Sequence, residues 1–245
     1  MSRVGAHARL ELAMTLRNGE QLLLTLVLPL GLLLGLSLTT VVDLGIVGTS
    51  RADRLAVVVP GMLALAVLST AFTGLAIQTG FERRYGVLKR LGATPLSRTD
   101  LLAGKAVAVL MVELAQVIVL GGTGWLLGWR PDPIGLVLAV PLLVLGTAAF
   151  AALGLLLAGT LRAEATLAGA NVVYLLLLAA GGIVIPLAEM PASVQSWVEL
   201  LPFAALAEAL RTALIAGELA FENIAVLTAW LAIGALATAR WFRWE

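Results

Sequence analysis

Cysteine is absent from the chain and histidine occurs once, at His7. Without thiols there is no disulfide framework, no thiolate nucleophile and no cysteine-held metal, and a single imidazole cannot build a multi-histidine metal site. Charge is sparse as well: 13% of residues are charged, 60% are apolar, and the mean hydropathy is +1.02. That balance lies outside the range of a soluble domain, so an all-α integral membrane protein is expected. The 245 residues leave room for about six or seven spans of roughly twenty residues each. A formal net charge of +1 says nothing about partners; the placement of the charges does. No nucleic-acid partner is expected.

Membrane-embedded enzymes are disfavoured by the same absences. Their chemistry needs a serine–histidine pair within the bilayer, a zinc-binding H-E-x-x-H or clustered aspartates at one face. Here Asp43, Asp53, Asp100 and Asp132 are scattered along the chain, and His7 stands alone.

What the chain does have is one dense charged island between apolar runs, residues 79–105, TGFERRYGVLKRLGATPLSRTDLLAGK. Arg83, Arg84, Lys89, Arg90, Arg98 and Lys105 face only Glu82 and Asp100 in acid. Thr79 and Glu82 have the T-x-x-E spacing of a capping box, which predicts a short helix starting there. On a helical period Phe81, Tyr85, Leu88 and Gly92 share an apolar side, opposite Glu82, Gly86, Lys89 and Arg90. Gly92 and Pro95 then end the helix, and Ser97 with Asp100 repeats the capping signal for the long apolar helix that follows.

Taken in order, residues 1–20 read as an amphipathic helix on the membrane surface, with Ala8, Leu12 and Leu16 on its apolar side and His7 and Glu11 opposite. They do not read as a signal peptide, because Arg9, Glu11, Arg17 and Glu20 interrupt any apolar core. Spans are predicted at Leu22 to Val42, Leu55 to Gln78, Leu101 to Trp129, Ile134 to Leu161, Leu167 to Ile185 and Phe221 to Trp244. Asp43 to Arg54 reads as a polar loop, residues 129–133 (WRPDP) as a tight turn, and residues 162–166 as a brief polar connection. Between Pro186 and Gly217, Pro186, Pro191 and Pro202 cut the chain into pieces too short to span, and Ser193 to Leu201 and Phe203 to Ala216 read as short helices at or dipping into the outer interface.

Orientation follows from the cations. Arg3, Arg9, Arg17, the island, Arg162, Arg240 and Arg243 fall on one side; Arg51, Arg54, Arg130 and Arg211 fall on the other. The positive-inside rule then puts both termini in the cytoplasm, as six spans require. Glu113 lies about 18 Å along its span from Leu101, near mid-bilayer. A carboxylate there either lines a path for cargo or pairs with a polar neighbour such as Gln116, Asn171 or Tyr174. Glu208 and Arg211, one turn apart, read as a local ion pair supporting the outer helices. G-x-x-x-G pairs at Gly31/Gly35 and Gly124/Gly128 permit close helix contact.

The order of parts, together with GVLKRLGATPLSRTDLLAGK at residues 86–105, resembles the membrane subunit of type-2 ABC exporters. That family has E-x-E-x-G-T-L-E-x-L-x-x-T-P-x-S-R followed by a G-K pair, and Glu82, Gly86, Leu88, Leu91, Thr94, Pro95, Ser97, Arg98, Gly104 and Lys105 match it. Arg84, Val87 and Lys89 stand where the pattern often has Glu, Thr and Glu, so this helix is basic rather than balanced. The resemblance extends to RNGEQLLLTLVLPLGLLLG at the first span and to LLPFAALAEALRTAL before the last.

The resemblance implies that residues 79–98 form a coupling helix seated on a separate ATP-binding subunit, with Glu82, Arg83, Gly86, Lys89, Arg90, Leu91, Thr94 and Pro95 at the contact. It implies a second permease, identical or homologous, and a drug-like, lipid or cell-envelope cargo exported through the plasma membrane. ATP and Mg would be bound by the partner subunit: here the Walker pattern is missing, since Gly104 and Lys105 follow Thr99 rather than glycine and precede Ala106. An ion-coupled secondary transporter is the alternative, but it ordinarily shows an internal repeat and midplane helix breaks, and no repeat is apparent. The importer-type ABC permease lacks support, because its E-A-A loop is not found.

Overall fold

The computed structural model describes residues 3–17, 19–38, 50–92, 97–181 and 192–242, and among these the regular structure is helical throughout, with no strand. Ser50 starts the central element: its Oγ accepts from the Asp53 N–H at 3.2 Å, and Asp53 Oδ2 accepts from the Ser50 N–H at 3.3 Å. This reciprocal capping box launches α3 (Arg51–Val67), which runs without a break through a π-helical turn (Leu68–Gly74) into α4 (Leu75–Arg84). The 34-residue rod is about 50 Å long, well beyond the ~30 Å hydrocarbon core of a bilayer.

Around this rod stand α1 (Arg3–Arg17), α2 (Gly19–Leu38), α5 (Val87–Gly92), α6 (Arg98–Leu127), α7 (Pro133–Thr160), α8 (Ala163–Ala180), α9 (Ala192–Val198), α10 (Pro202–Ala216) and α11 (Phe221–Trp241). The α3 part packs against α2, α6 and α10, and the α4 part against α7 and α8. Leu55, Val59, Met62, Leu65 and Leu68 are fully enclosed, so this apolar helix is greasy all round because it is surrounded all round. Four helices among the described residues are long and apolar enough to cross a membrane: Arg51–Arg84, Asp100–Leu127, Pro133–Thr160 and Phe221–Trp241. Thr25–Leu38 and Ala163–Ala179 are shorter apolar helices.

Small residues set the closest approaches. A Cβ on Gly154 of α7 would stand 2.8 Å from the Phe72 carbonyl oxygen of the π-helical turn, so only glycine lets α7 pack there. Phe150, one turn earlier, meets Phe72 edge-on at 6.5 Å. Gly135 lies under α10, where a Cβ would come within 2.1 Å of the Ala213 oxygen. The turn before α7 completes this joint. Asp132 Oδ1 accepts from the Ile134 and Gly135 N–H groups at 2.8 and 3.0 Å, capping α7, while the Asp132 N–H donates to the Leu214 oxygen at 2.9 Å.

Several sequence expectations change. The predicted helix start at Thr79 does not exist: Thr79 is buried in the interior of α4, and the chain breaks later, at Tyr85 and Gly86, where Gly86 has φ +68°. The short helix is therefore Val87–Gly92 rather than residues 79–98, and the second span continues to Arg84 instead of ending at Gln78. A capping box needs an extended residue at its head, and tertiary packing keeps Thr79 helical. The polar loop ends at Ser50, not Arg54, through a box the spacing S-x-x-D already contained. The connection expected at 162–166 shrinks to Leu161 and Arg162, since α8 starts at Ala163.

The turn at 129–133, the start of α6 at the Ser97/Asp100 box and the pair α9–α10 fall as the sequence predicts. The second of these, α10, is buried from Pro202 to Leu210 apart from Glu208, wedged against α3, α7 and α11. Pro186 and Pro191 lie outside the described residues, as do Val42 and Asp43. Of the G-x-x-x-G pairs, Gly124 packs inside against Val59 and Trp129, and Gly128 is the left-handed cap of α6. Gly31 and Gly35 face open space on α2.

Gly135→Ala is expected to destabilise the protein by about 1–3 kcal/mol through overpacking against α10. Gly31→Ala, with nothing within 4 Å of the added carbon, is expected to leave stability unchanged or slightly raised. Thermal unfolding of the two variants in the same detergent checks this, and equal melting temperatures would contradict it.

Candidate functional site

The joint between α1, α4 and α6 is built from charged groups with almost no access to solvent. Lys105, in the second turn of α6 counted from Asp100, places its Nζ 2.9 Å from Glu11 Oε1 and 2.6 Å from Glu82 Oε2. Gln78, one turn before Glu82, donates from Nε2 to Glu11 Oε2 at 2.7 Å and to Glu82 Oε1 at 2.9 Å. His7 Nε2 is 3.2 Å from Glu11 Oε1, and its ring lies over Gly104, where a Cβ would come within 2.3 Å of it. Relative exposures of 3%, 2%, 8% and 2% for His7, Glu11, Glu82 and Lys105 make this a buried network. One ammonium serves two carboxylates, with the His7 ring packed beside Glu11.

The side of α1 predicted to be polar is thus buried. His7 and Glu11 point inward against α6, while Arg9, Leu10 and Met14 are exposed. Glu82 likewise leaves the predicted polar face and turns into the network. The periodicity groups His7 with Glu11 but is silent about what that side meets, and Ala8, predicted on the opposite side, is buried as well.

Just past the network the rod stops at Gly86, whose N–H donates to the Arg83 oxygen at 3.1 Å. The Gly86 oxygen accepts from the Arg90 N–H at 3.1 Å and opens α5. Within α5, Leu88 is buried while Lys89 and Arg90 are exposed; Leu91 is half-buried. Thr94 and Pro95 lie outside the described residues. Arg83 and Arg84 hold the end of the rod to the α7–α8 turn: Arg83 donates to the Leu161 carbonyl, and Arg84 pairs with Glu164. Tyr85 stacks on Phe81 at 6.1 Å and lies beneath the Arg84 guanidinium at 5.7 Å.

A small cavity of about 30 Å³ leads from the network toward the π-helical turn, lined by Glu11, Gln78, Lys105, Thr70, Gly74 and Thr25 among others. At its far end Thr70 Oγ1 donates to Gln116 Oε1 at 3.0 Å, and Gln116 Nε2 donates to the Thr25 oxygen at 3.2 Å. Glu113 does not pair with Gln116, Asn171 or Tyr174. Its Oε2 accepts from Thr147 Oγ1 at 2.5 Å, joining α6 to α7. Asn171 is exposed on α8, and the half-buried Tyr174 faces Ser69 of the π-helical turn. Glu208 and Arg211 pair at 2.5 Å within α10, far along the chain from the network.

Lys105 was predicted as one cation of the island and as half of the family's G-K pair, and His7, Glu11 and Gln78 were not assigned to any site. The available signal was physical: a lysine inside an apolar helix demands a counter-charge. Among the described residues no group of three or more metal-ligating side chains is placed to hold an ion.

A bundle of apolar helices too long and too greasy for water, packed around a buried rod, defines a polytopic helical membrane protein. The ABC-2 type transporter family model matches residues 4–215, and the chain belongs to that family. No curated protein matches it. Membership makes this chain the permease subunit of an ABC transporter, a transport subunit without the ATP-binding cassette, in a family that works with an ATP-binding subunit.

Lys105→Met strands two buried carboxylates and is expected to cost about 3–5 kcal/mol. Adding Glu11→Gln to that variant should cost far less than Glu11→Gln alone, a coupling of about 0.5–3 kcal/mol. A double-mutant cycle on thermal unfolding measures it; strictly additive losses would show that the groups do not act as a unit.

Proposed function

We propose that this permease subunit exports a hydrophobic or amphipathic compound from the cytoplasm, a drug- or antibiotic-like molecule, a lipid or a cell-envelope precursor. The observation that carries the reading is α5, a short helix set off from the rod by a left-handed glycine, with Lys89 and Arg90 exposed and Leu88 buried beneath them. A separate ATP-binding subunit docks there, through Lys89, Arg90 and Leu91, with Thr94 and Pro95 completing the contact. Gly86 sets the angle of the helix. Glu82 and Arg83 act one step behind, fixing the rod to α1, α6 and the α7–α8 turn so that movement of α5 is passed to the spans rather than absorbed.

In this reading the network end is cytoplasmic, six spans cross the plasma membrane with both termini inside, and the 186–217 segment lies at the outer side, where Glu208 and Arg211 brace α10 as part of the outer gate. A second permease, identical or homologous, completes the pathway. The open glycine face of α2 suits close helix contact. Of the intramembrane polar groups, Asn171 and Tyr174 on α8 are offered to cargo, whereas Glu113 and Gln116 are engaged in helix-to-helix hydrogen bonds.

Reversing both exposed charges, Lys89→Glu with Arg90→Glu, is expected to weaken docking by roughly tenfold or more, a loss of about 1.4 kcal/mol. Transport and cargo-stimulated ATP hydrolysis should fall together in proteoliposomes containing both subunits. Gly86→Pro should have the same effect, since proline cannot adopt φ +68°. Unimpaired, cargo-stimulated hydrolysis in the charge-reversed complex would remove α5 from the contact.

A further inference from the structure

The outer halves of α6 and α7 splay apart and leave a groove that the transport reading does not use. It has a volume of about 350 Å³, its walls are Val117, Ile118 and Trp125 on α6 and Leu136, Val140 and Leu143 on α7, and its floor is Leu63 of α3 with Leu214 of α10. Almost nothing polar lines it. Gly121 and Gly122 keep it open: a Cβ on Gly122 meets nothing within 4 Å, and one on Gly121 only grazes Trp129 at 4.0 Å.

The groove has two chemically distinct ends. Inward it stops one turn short of the Glu113–Thr147 hydrogen bond, which draws the two helices together. Outward it opens at Trp125 and Arg130. The Arg130 guanidinium lies over the Trp125 ring at 4.5 Å, and its Nη1 donates to the Trp125 and Trp129 carbonyls at 2.9 and 2.8 Å. Those bonds fix the head of an exposed cation over the mouth while leaving its other N–H groups toward solvent. The Asp132 carboxylate, two residues on, is engaged at the start of α7. From Val117 to Trp125 the rise is about 12 Å, close to half of the ~30 Å hydrocarbon core.

A one-leaflet, apolar, recessed channel with a cation at its interfacial mouth has the chemistry of a single lipid. We propose that this groove is a site for an anionic membrane phospholipid, with one acyl chain lying along Gly121 and Gly122 and its phosphate held by Arg130. The lipid belongs to the leaflet at the α6–α7 turn. It fills the gap between the helices and so braces α10 through Leu214.

Native mass spectrometry of the purified full-length transporter, exchanged into phosphatidylglycerol or phosphatidylcholine micelles, tests this. One retained phosphatidylglycerol per chain is expected, and Gly122→Leu should reduce its retention by about tenfold. Val140→Trp fills the groove from an exposed position (60% exposed) and should do the same if the glycine variant fails to fold. Arg130→Gln should abolish the preference for phosphatidylglycerol over phosphatidylcholine. Leu126→Trp, at a lipid-exposed position outside the groove, should leave retention intact. Unchanged retention in Val140→Trp would overturn the proposal, as would efficient cross-linking of Ile118→Cys to a second copy of the chain.

Discussion

Lys105 is the fixed point of the end of the molecule where α1, α4 and α6 meet. An ammonium with 2% of its surface exposed is stable only if its lost hydration is replaced, and Glu11 and Glu82 replace it from two other helices. Neither carboxylate is stable there without the lysine. The consequence is positional as much as energetic: α1 cannot slide along α6, and the end of the central rod cannot swing away from either, without exposing an unpaired charge to a poorly solvated space. Gln78 narrows the geometry further by bonding to both acids at once.

That rigidity gives the break at Gly86 its meaning. A rod fixed by Glu82 and, one residue on, by Arg83 to the Leu161 carbonyl ends firmly, and the left-handed glycine then sets α5 apart as a separate short helix. Toward the membrane interior the rod has a different character. Its π-helical turn carries Thr70 bonded to Gln116, receives the glycine face of α7 and faces Tyr174. π-Helical turns are locally wider than the α-helix and concentrate at functional positions. The rod is thus held by charge at its end and by small-residue packing and polar bonds near its middle.

Within the bilayer the chain uses its few polar side chains as helix-to-helix links. Glu113 with Thr147, Gln116 with Thr70 and Thr25, and Thr238 with the Ala152 oxygen each join different helices. Between apolar helices in lipid there is no water to expel, so such bonds and close glycine contacts supply the specificity that hydrophobic burial gives soluble proteins. The same logic explains α10, which is short yet almost wholly buried: Gly135, Gly146 and Gly181 make space for Ala213, Leu206 and Phe203.

From the sequence alone came the all-helical membrane class, the limits of α6, α7, α9 and α10, the WRPDP turn and the charged segment with a short helix inside it. All of these depend on local rules: apolar run length, capping residues, proline and the helical period. Those rules also supplied the Thr79/Glu82 box that the fold overrides and a polar face on α1 that turned out to be buried. Periodicity groups His7 with Glu11, but the partner that decides whether that face is wet or dry lies 94 positions away, on another helix. Only the tertiary structure could place Lys105 between Glu11 and Glu82, because the energy of a charge is set by whatever surrounds it in space, and neighbours in the chain do not carry that information.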